Sequence, residues 1–179
     1  MDKKDLSCLN TFEQQEGEKI SKIKTDSDFR PRRSKFYNKY DEEGEIASLA
    51  TECPFCYIYK TQKERIIYQD EKVFVIQDRT PGARIHYLVN PLRHIKNVNH
   101  LKSSDSELIS HMESVGKLLI EKENLDKKSR RKLGFHKASN TSIPHLHMHI
   151  LAGKYSSLLC YIKYNWPFFT TPKEVISKL

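Results

Sequence analysis

Ser142-Ile143-Pro144-His145-Leu146-His147-Met148-His149-Ile150-Leu151 is the stretch on which the reading of this chain turns. In an extended strand, side chains two apart share a face. Leu146, Met148 and Ile150 then point into a core, and His145, His147 and His149 line the other side at about 7 Å per step. A lone histidine on such a face is ordinarily a satisfied core group. Three in alternation ask for a chemical reason. Zinc accepts imidazole, but neighbouring side chains on a flat strand diverge, so three of them do not converge unaided on one tetrahedral ion. Covalent catalysis suits them better. A neutral imidazole is a nucleophile toward phosphorus, and a backbone carbonyl on its second nitrogen sets the tautomer. Flanking imidazoles can donate to phosphoryl or leaving-group oxygens as charge shifts.

Upstream of this run the hydropathy pattern predicts a sheet and one long helix. ERIIYQD (64–70) and KVFVIQD (72–78) are β-rich runs one tight turn apart, as in an antiparallel hairpin. Thr80-Pro81-Gly82 marks a turn before a third strand, IHYLVN (85–90), which Pro91 closes. Ser104, with Glu107 three residues on, predicts a capping box for a helix over about 105–123. Its Leu108, Met112, Val115 and Leu119 would form the face that covers the sheet. RKLGFHK (131–137) and HLHMHIL (145–151) read as two further strands. The order implies an α+β domain: an antiparallel sheet of about five strands covered by one long helix.

The chain has 179 residues, mean hydropathy −0.68 and no apolar run near the roughly 20 residues of a membrane span. No leader is visible at the start, which points to the cytoplasm. Residues 1–50 carry 10 basic and 11 acidic groups with few aliphatic clusters, and are expected to be a flexible polar tail with a short helix around 41–50. The folded part, 51–179, holds 21 basic against 12 acidic residues, a balance suited to an anionic partner. Lys127, Lys128, Arg130, Arg131 and Lys132 form a basic run that reads as a solvated loop, with a nuclear address or nucleic-acid contact as the less favoured alternative. His100 and His111 carry no signal, the latter falling on the polar side of the helix; Trp166, Phe168 and Phe169 read as packing or dimer surface. Cys8 and Cys160 are expected to be free thiols. Cys53-Pro54-Phe55-Cys56 has the spacing at which two thiolates grip one metal ion, with a reduced pair as the alternative.

The pattern HLHMHIL resembles the signature of the histidine triad (HIT) superfamily. The likeness extends from about Cys53 to the C-terminus: IQDRTP (76–81), IHYLVNPLRHI (85–95) and GFHKASNTSIPHLHMHI (134–150) each resemble family segments, in the right order. The third-type histidine-triad nucleotide-binding proteins and the aprataxins are the most similar branches. This resemblance implies a HIT-like domain over 51–179, paired as a two-fold homodimer, that releases a purine nucleoside 5′-monophosphate of AMP type from phosphoramidate or acyl-adenylate substrates. His147 would be the nucleophile, His149 would stabilise the phosphate, and His145 would orient the site. Ser142 would bind phosphate or leaving group, Asp78 the ribose hydroxyls, and His86 would stand behind the triad. Arg79 departs from the apolar residue that family members place against the base. His136 stands where many members have an asparagine on the phosphate. Asn90, Pro91, Leu92 and Arg93 also differ, as surface drift. By similarity to the more distant hexose-phosphate uridylyltransferases, Cys53, Cys56, His94 and His145 would hold a structural zinc, the chemistry itself needing no cofactor. Two alternatives remain beside hydrolysis of small substrates. One is aprataxin-like removal of AMP from 5′-adenylated DNA, against which stands the missing zinc finger after the domain. The other is a non-catalytic nucleotide-binding module.

Overall fold

The computed structural model of the chain describes residues 53–123, 125–126, 128–165 and 167–179. The expected tail over 1–50, Cys8, Lys127 and Trp166 lie outside the described residues. A first helix, α1 (Pro54–Thr61), starts with proline at its first position, where no amide donor is needed, and buries Phe55 and Ile58. Two strands follow, β1 (Ile66–Gln69) and β2 (Val73–Gln77), joined by a turn in which Asp70 Oδ1 accepts from the amides of Lys72 and Val73 at 2.8 Å each. β3 (Ala83–Pro91) is the long central strand.

The long helix, α2, spans Ser106–Lys122 and is preceded by a 3₁₀ turn over Ser103–Asp105. Its start differs in detail from the expected Ser104 capping box. Asp105 Oδ2 accepts the Lys102 amide at 2.8 Å, and the same carboxylate pairs with Arg93. The buried face is Ile109, Met112, Val115, Gly116, Leu119 and Ile120, with Leu108 half-buried against the same core, so the expected seam is present and widened by one neighbouring row. Gly116 is where helix and sheet come closest; a Cβ there would sit 2.3 Å from Leu133 Cδ2. His111 is more than a polar-face residue, because its Nε2–H donates to Asp70 Oδ2 at 2.8 Å and ties the helix to the β1–β2 turn.

β4 (Arg131–His136), β5 (Met148–Tyr155), α3 (Leu158–Lys163), β6 (Phe169–Thr170) and α4 (Pro172–Ile176) complete the chain. The sheet has six strands in the order β1-β2-β3-β5-β4-β6, antiparallel throughout, one more than the sequence predicts because two residues of β6 pair with Phe135 and His136. Both faces are covered, so β2 is buried at four successive positions instead of alternating. Val73 and Val75 meet α2 in the main core with Val89, Met148 and Ile150, while Phe74, Ile76 and Leu88 pack with Phe55 and Ile58 of α1. Among the described residues no helix is long and apolar enough to cross a membrane. Asn90 and Pro91, expected as surface drift, are buried at the end of β3; Asn90 Nδ2 donates to the Leu88 carbonyl at 3.0 Å.

Candidate active site

The histidine run is not one straight strand. Only His149 lies on β5; His145 and His147 precede it in a bend. Pro144 has no amide to give to a ladder, and the His145 amide turns back onto the Ile143 carbonyl at 2.8 Å while the Leu146 amide reaches Ile95 at 2.6 Å. Leu146, Met148 and Ile150 still enter the core as the alternation implies. The bend separates the three rings. His145 faces Cys53, Cys56 and His94, with its ring 4.9 Å from that of His94. His147 and His149 stay together at 4.9 Å between ring centres.

Main-chain atoms fix the tautomer of each ring. Gly82 donates its amide to His86 Nδ1 at 3.0 Å, so the neutral ring carries its proton on Nε2. That nitrogen lies 2.8 Å from His149 Nδ1 and donates to it. The His149 proton is thereby placed on Nε2, a buried donor with no partner. His147 is set the opposite way: its Nδ1–H donates to the His145 carbonyl at 2.6 Å, and Nε2 keeps a free lone pair. His145 donates through Nε2 to the Pro91 carbonyl at 3.1 Å, which leaves its Nδ1 lone pair toward the two sulfurs.

Burial keeps these rings neutral. It pushes His86 down to about 3 and His136 to about 4, with the positive charge of Lys163 adding to each shift. His145 is lowered to about 4 by burial, against the opposing bond to Pro91, while His147 and His149 are lowered for the same first reason. His136 stands on β4 with its ring 4.7 Å from that of His149. The Phe168 carbonyl, which also takes the Lys137 amide at 3.1 Å, lies close enough to raise the His136 pKa against the effect of burial, and among the described residues neither ring nitrogen reaches full hydrogen-bond geometry. A neutral His136 offers one N–H and His149 another, and each of these two buried donors carries about 1–3 kcal/mol of desolvation that an oxyanion would relieve. His136 and His147 line a small void of about 10 Å³, room for about one water, together with Asn97, Val98, Phe135, Thr141 and Leu146.

Asp78, at the end of β2, accepts the Thr80 amide through Oδ1 at 2.7 Å and has Oδ2 3.5 Å from His86 Nε2. Burial pushes its carboxyl up, opposed first by the Thr80 amide and then by the positive charges around it. Arg79 is exposed beside it. Ser142 is exposed on the bend and hydrogen-bonds to none of these groups. Three further residues contribute, of which Tyr164 alone carries no recognisable sequence signal. Tyr164, just after α3, sets its ring 5.2 Å from His86, 5.1 Å from His136 and 5.2 Å from His149. Phe169 of β6 lies 5.5 Å from His136. The Gly82 amide sits under Tyr164, with room for no Cβ: one would lie 2.6 Å from the Tyr164 ring.

The family model described as scavenger mRNA decapping enzyme C-terminal binding matches residues 52–165. The chain belongs to the histidine triad superfamily. It is 38% identical over 122 residues to a bifunctional adenosine 5′-phosphosulfate phosphorylase/adenylylsulfatase of Arabidopsis thaliana, covering 66% of this chain and 82% of that protein. It is 36% identical over 131 residues to an adenosine 5′-monophosphoramidase of Danio rerio, covering 72% and 77% respectively. An aprataxin of Danio rerio shares 34% identity over 118 residues, 63% of this chain and 36% of that protein. Among solved structures, a HIT family hydrolase from Clostridium thermocellum aligns with TM-score 0.53 and 29% identity, over 60% of this chain and 95% of that one. Membership makes the chain a histidine-triad hydrolase with a nucleotide-binding domain.

In this histidine-triad domain the fit of a metal to the second cluster can be judged from the donors. The ligand atoms of Cys53, Cys56, His94 and His145 all lie within 4.8 Å of one another. Cys53 Sγ is 3.3 Å and Cys56 Sγ 3.5 Å from His145 Nδ1, and Cys56 Sγ is 3.4 Å from His94 Nδ1. Tetrahedral zinc with ordinary Zn–S and Zn–N lengths separates such ligands by about 3.5 Å. Two thiols and two imidazoles with their lone pairs turned inward fit that ion.

Proposed function

We propose that this chain hydrolyses nucleoside 5′-monophosphate derivatives, AMP-type phosphoramidates or acyl adenylates, through a covalent nucleotidyl-histidine. The observation that carries the reading is the His147 ring, whose Nδ1–H donates to the His145 carbonyl at 2.6 Å and so leaves the lone pair on Nε2, beside a water-sized void. His147 Nε2 attacks the α-phosphorus and the bond to the leaving group breaks, an acyl group departing as carboxylate and an amine taking its proton from water. A second water then attacks the phosphorus, the N–P bond breaks, the nucleotide leaves and His147 Nε2 regains its lone pair. His149 Nε2–H and the ring of His136 are the donors for the non-bridging oxygens, and their lack of present partners supports this assignment. His86 acts behind His149 as a positioning residue. Asp78 takes the ribose hydroxyls, Arg79 lies toward the base, and Ser142 meets the outer phosphate or leaving group when the bend closes on substrate. Likeness to the Danio rerio phosphoramidase supports adenosine and a P–N bond.

A slow phosphoramidate analogue followed by intact-mass analysis tests this directly. A nucleotidyl adduct on His147, absent in His147→Ala, is the expected result; an adduct that survives the substitution refutes it. The same comparison disposes of the non-catalytic binding module. Removal of AMP from 5′-adenylated DNA is the second reading, favoured by His136 in Gly134-Phe135-His136 at the site and by exposed Lys128, Arg130 and Arg131 before and within β4. Relative rates on AMP amidate and adenylated DNA separate the two.

Zinc held by Cys53, Cys56, His94 and His145 belongs to the same proposal. When bound it would lock the His145 ring and bend, and so hold the carbonyl that orients His147, without entering the chemistry. A two-fold homodimer in the cytoplasm, with the nucleus as second compartment, completes the reading; sedimentation of the full chain tests the dimer.

A further inference from the structure

The C-terminal part of the domain brings a cation up to the aromatic ring that packs on the histidines. Lys163, the last residue of α3, places Nζ 5.4 Å from the centre of the Tyr164 ring. That ring in turn lies against His86, His136 and His149. Lys163 is exposed and forms no ion pair or hydrogen bond among the described residues. Its positive charge nevertheless acts on Asp78, His86, His136, His147 and His149, so the ammonium lies near the whole cluster. The unpartnered nitrogens of His136 and His149 are deep and neutral, matched to a buried phosphoryl group. An exposed ammonium above them meets the part of the substrate that projects toward solvent.

We propose that Lys163 selects substrates whose leaving group departs as an anion, a sulfate or phosphate on the α-phosphorus, over those whose leaving group is a neutral amine. This rests on the nucleotidyl-histidine reading above. In the step, the His147 Nε2 lone pair forms the N–P bond, the P–O bond to the sulfate or phosphate breaks, and the leaving group takes the electron pair. Sulfate leaves as a stable dianion and needs no proton. An amine needs one, and the neutral rings of His136 and His149 are poor proton donors. Lys163 meets the charge that develops on the departing oxygens, a charge-assisted contact made partly out of water.

The test uses the full chain and two substrates, adenosine 5′-phosphosulfate and AMP amidate, with Lys163→Met, Lys163→Glu and Lys163→Arg. The readout is the ratio of kcat/KM for phosphosulfate to kcat/KM for amidate. Lys163→Met is expected to lower this ratio about 10-fold, Lys163→Glu to lower it further, and Lys163→Arg to restore most of it. AMP joined to phosphate (ADP) as a third substrate tells whether the group senses any anion or sulfate in particular; a drop on both supports a charge selector. Equal losses on phosphosulfate and amidate overturn the proposal, since Lys163 would then serve the phosphoryl group common to both. A wild-type chain that turns over amidate but not phosphosulfate also overturns it. If neither substrate gives His147-dependent turnover, the nucleotidyl-histidine reading itself has failed.

Discussion

Acid is expected to unfold this domain at a pH where most of its carboxylates are still charged. His86 is held at about 3 and His136 at about 4, against 6.5 for a free imidazole. A histidine with a depressed pKa in the fold is neutral in both states above pH 6.5, so no stability is lost there. Below 6.5 the unfolded chain binds the proton and the folded one does not, and stability falls with pH until the folded value is reached. Between pH 7 and pH 5 each of these two rings removes about 2 kcal/mol, about 4 kcal/mol together, from a typical total of about 5–15. His147 and His149 shift in the same direction and deepen the loss. Asp78, whose carboxyl is raised, works in the opposite sense and trims it. Asp70 adds nothing in this window: although burial pushes its carboxyl up, the bonds from His111, Lys72, Val73 and Tyr68 hold it well below the usual range. The assay is a urea titration at pH 7, 6 and 5, reading the midpoint at constant slope. His136→Phe should recover about half of the loss assigned to the pair. A midpoint that does not move between pH 7 and pH 5, or a variant that loses as much as the wild type, refutes the reasoning.

Other consequences are simpler to state. His147→Ala should lower kcat by several orders of magnitude while leaving the unfolding free energy within about 1 kcal/mol by urea titration, because the covalent route is lost and a nearly buried polar ring is replaced by a small apolar group. His86→Phe keeps the ring but removes the donor 2.8 Å from His149 Nδ1, so His149 is free to take the wrong tautomer; kcat should fall about 10- to 100-fold with little change in KM. Gly134→Ala places a Cβ 2.4 Å from the Thr170 carbonyl and 2.5 Å from the Phe169 ring, and should cost about 1–3 kcal/mol in thermal unfolding while loosening β6 from His136. Stripping metal with a chelator, or Cys53→Ser, should lower both Tm and kcat, and added zinc should restore only the chelated wild type.

Much of this was legible in the sequence. β1, β2, β3 and β4 follow from β-rich runs bounded by turn residues, and α2 from its apolar spacing. The histidine stretch was legible in composition and illegible in shape. Alternation promised a strand from His145, yet Pro144 forces a bend, and the rings divide between two clusters. Cys53, Cys56 and His94 could be paired with His145 only by resemblance, since 38 to 92 residues separate the partners. Tyr164 and Lys163 escaped because α3 is too short to show a period, whereas Phe169, expected as a packing residue, is buried on β6. Asn90 was misjudged for a related reason: a polar residue at a strand end gives no sign that another strand and a loop will cover it.

The deepest part of the site has no sequence signal of any kind, because main-chain atoms make it. Gly82 N–H, the His145 carbonyl and the Pro91 carbonyl decide which nitrogen of His86, His147 and His145 keeps its lone pair. The same residue type is thereby given three roles. His147 receives a carbonyl on Nδ1 and becomes a base at Nε2. His149 receives an N–H on Nδ1, through His86, and becomes a donor at Nε2. His145 receives a carbonyl on Nε2 and turns its lone pair to the cysteines. A side-chain partner could be replaced without moving the backbone; these partners cannot. Any substitution that shifts the Pro144 bend or the Pro81-Gly82 turn therefore alters tautomers before it alters contacts, and should appear as a loss of kcat in a protein that still folds.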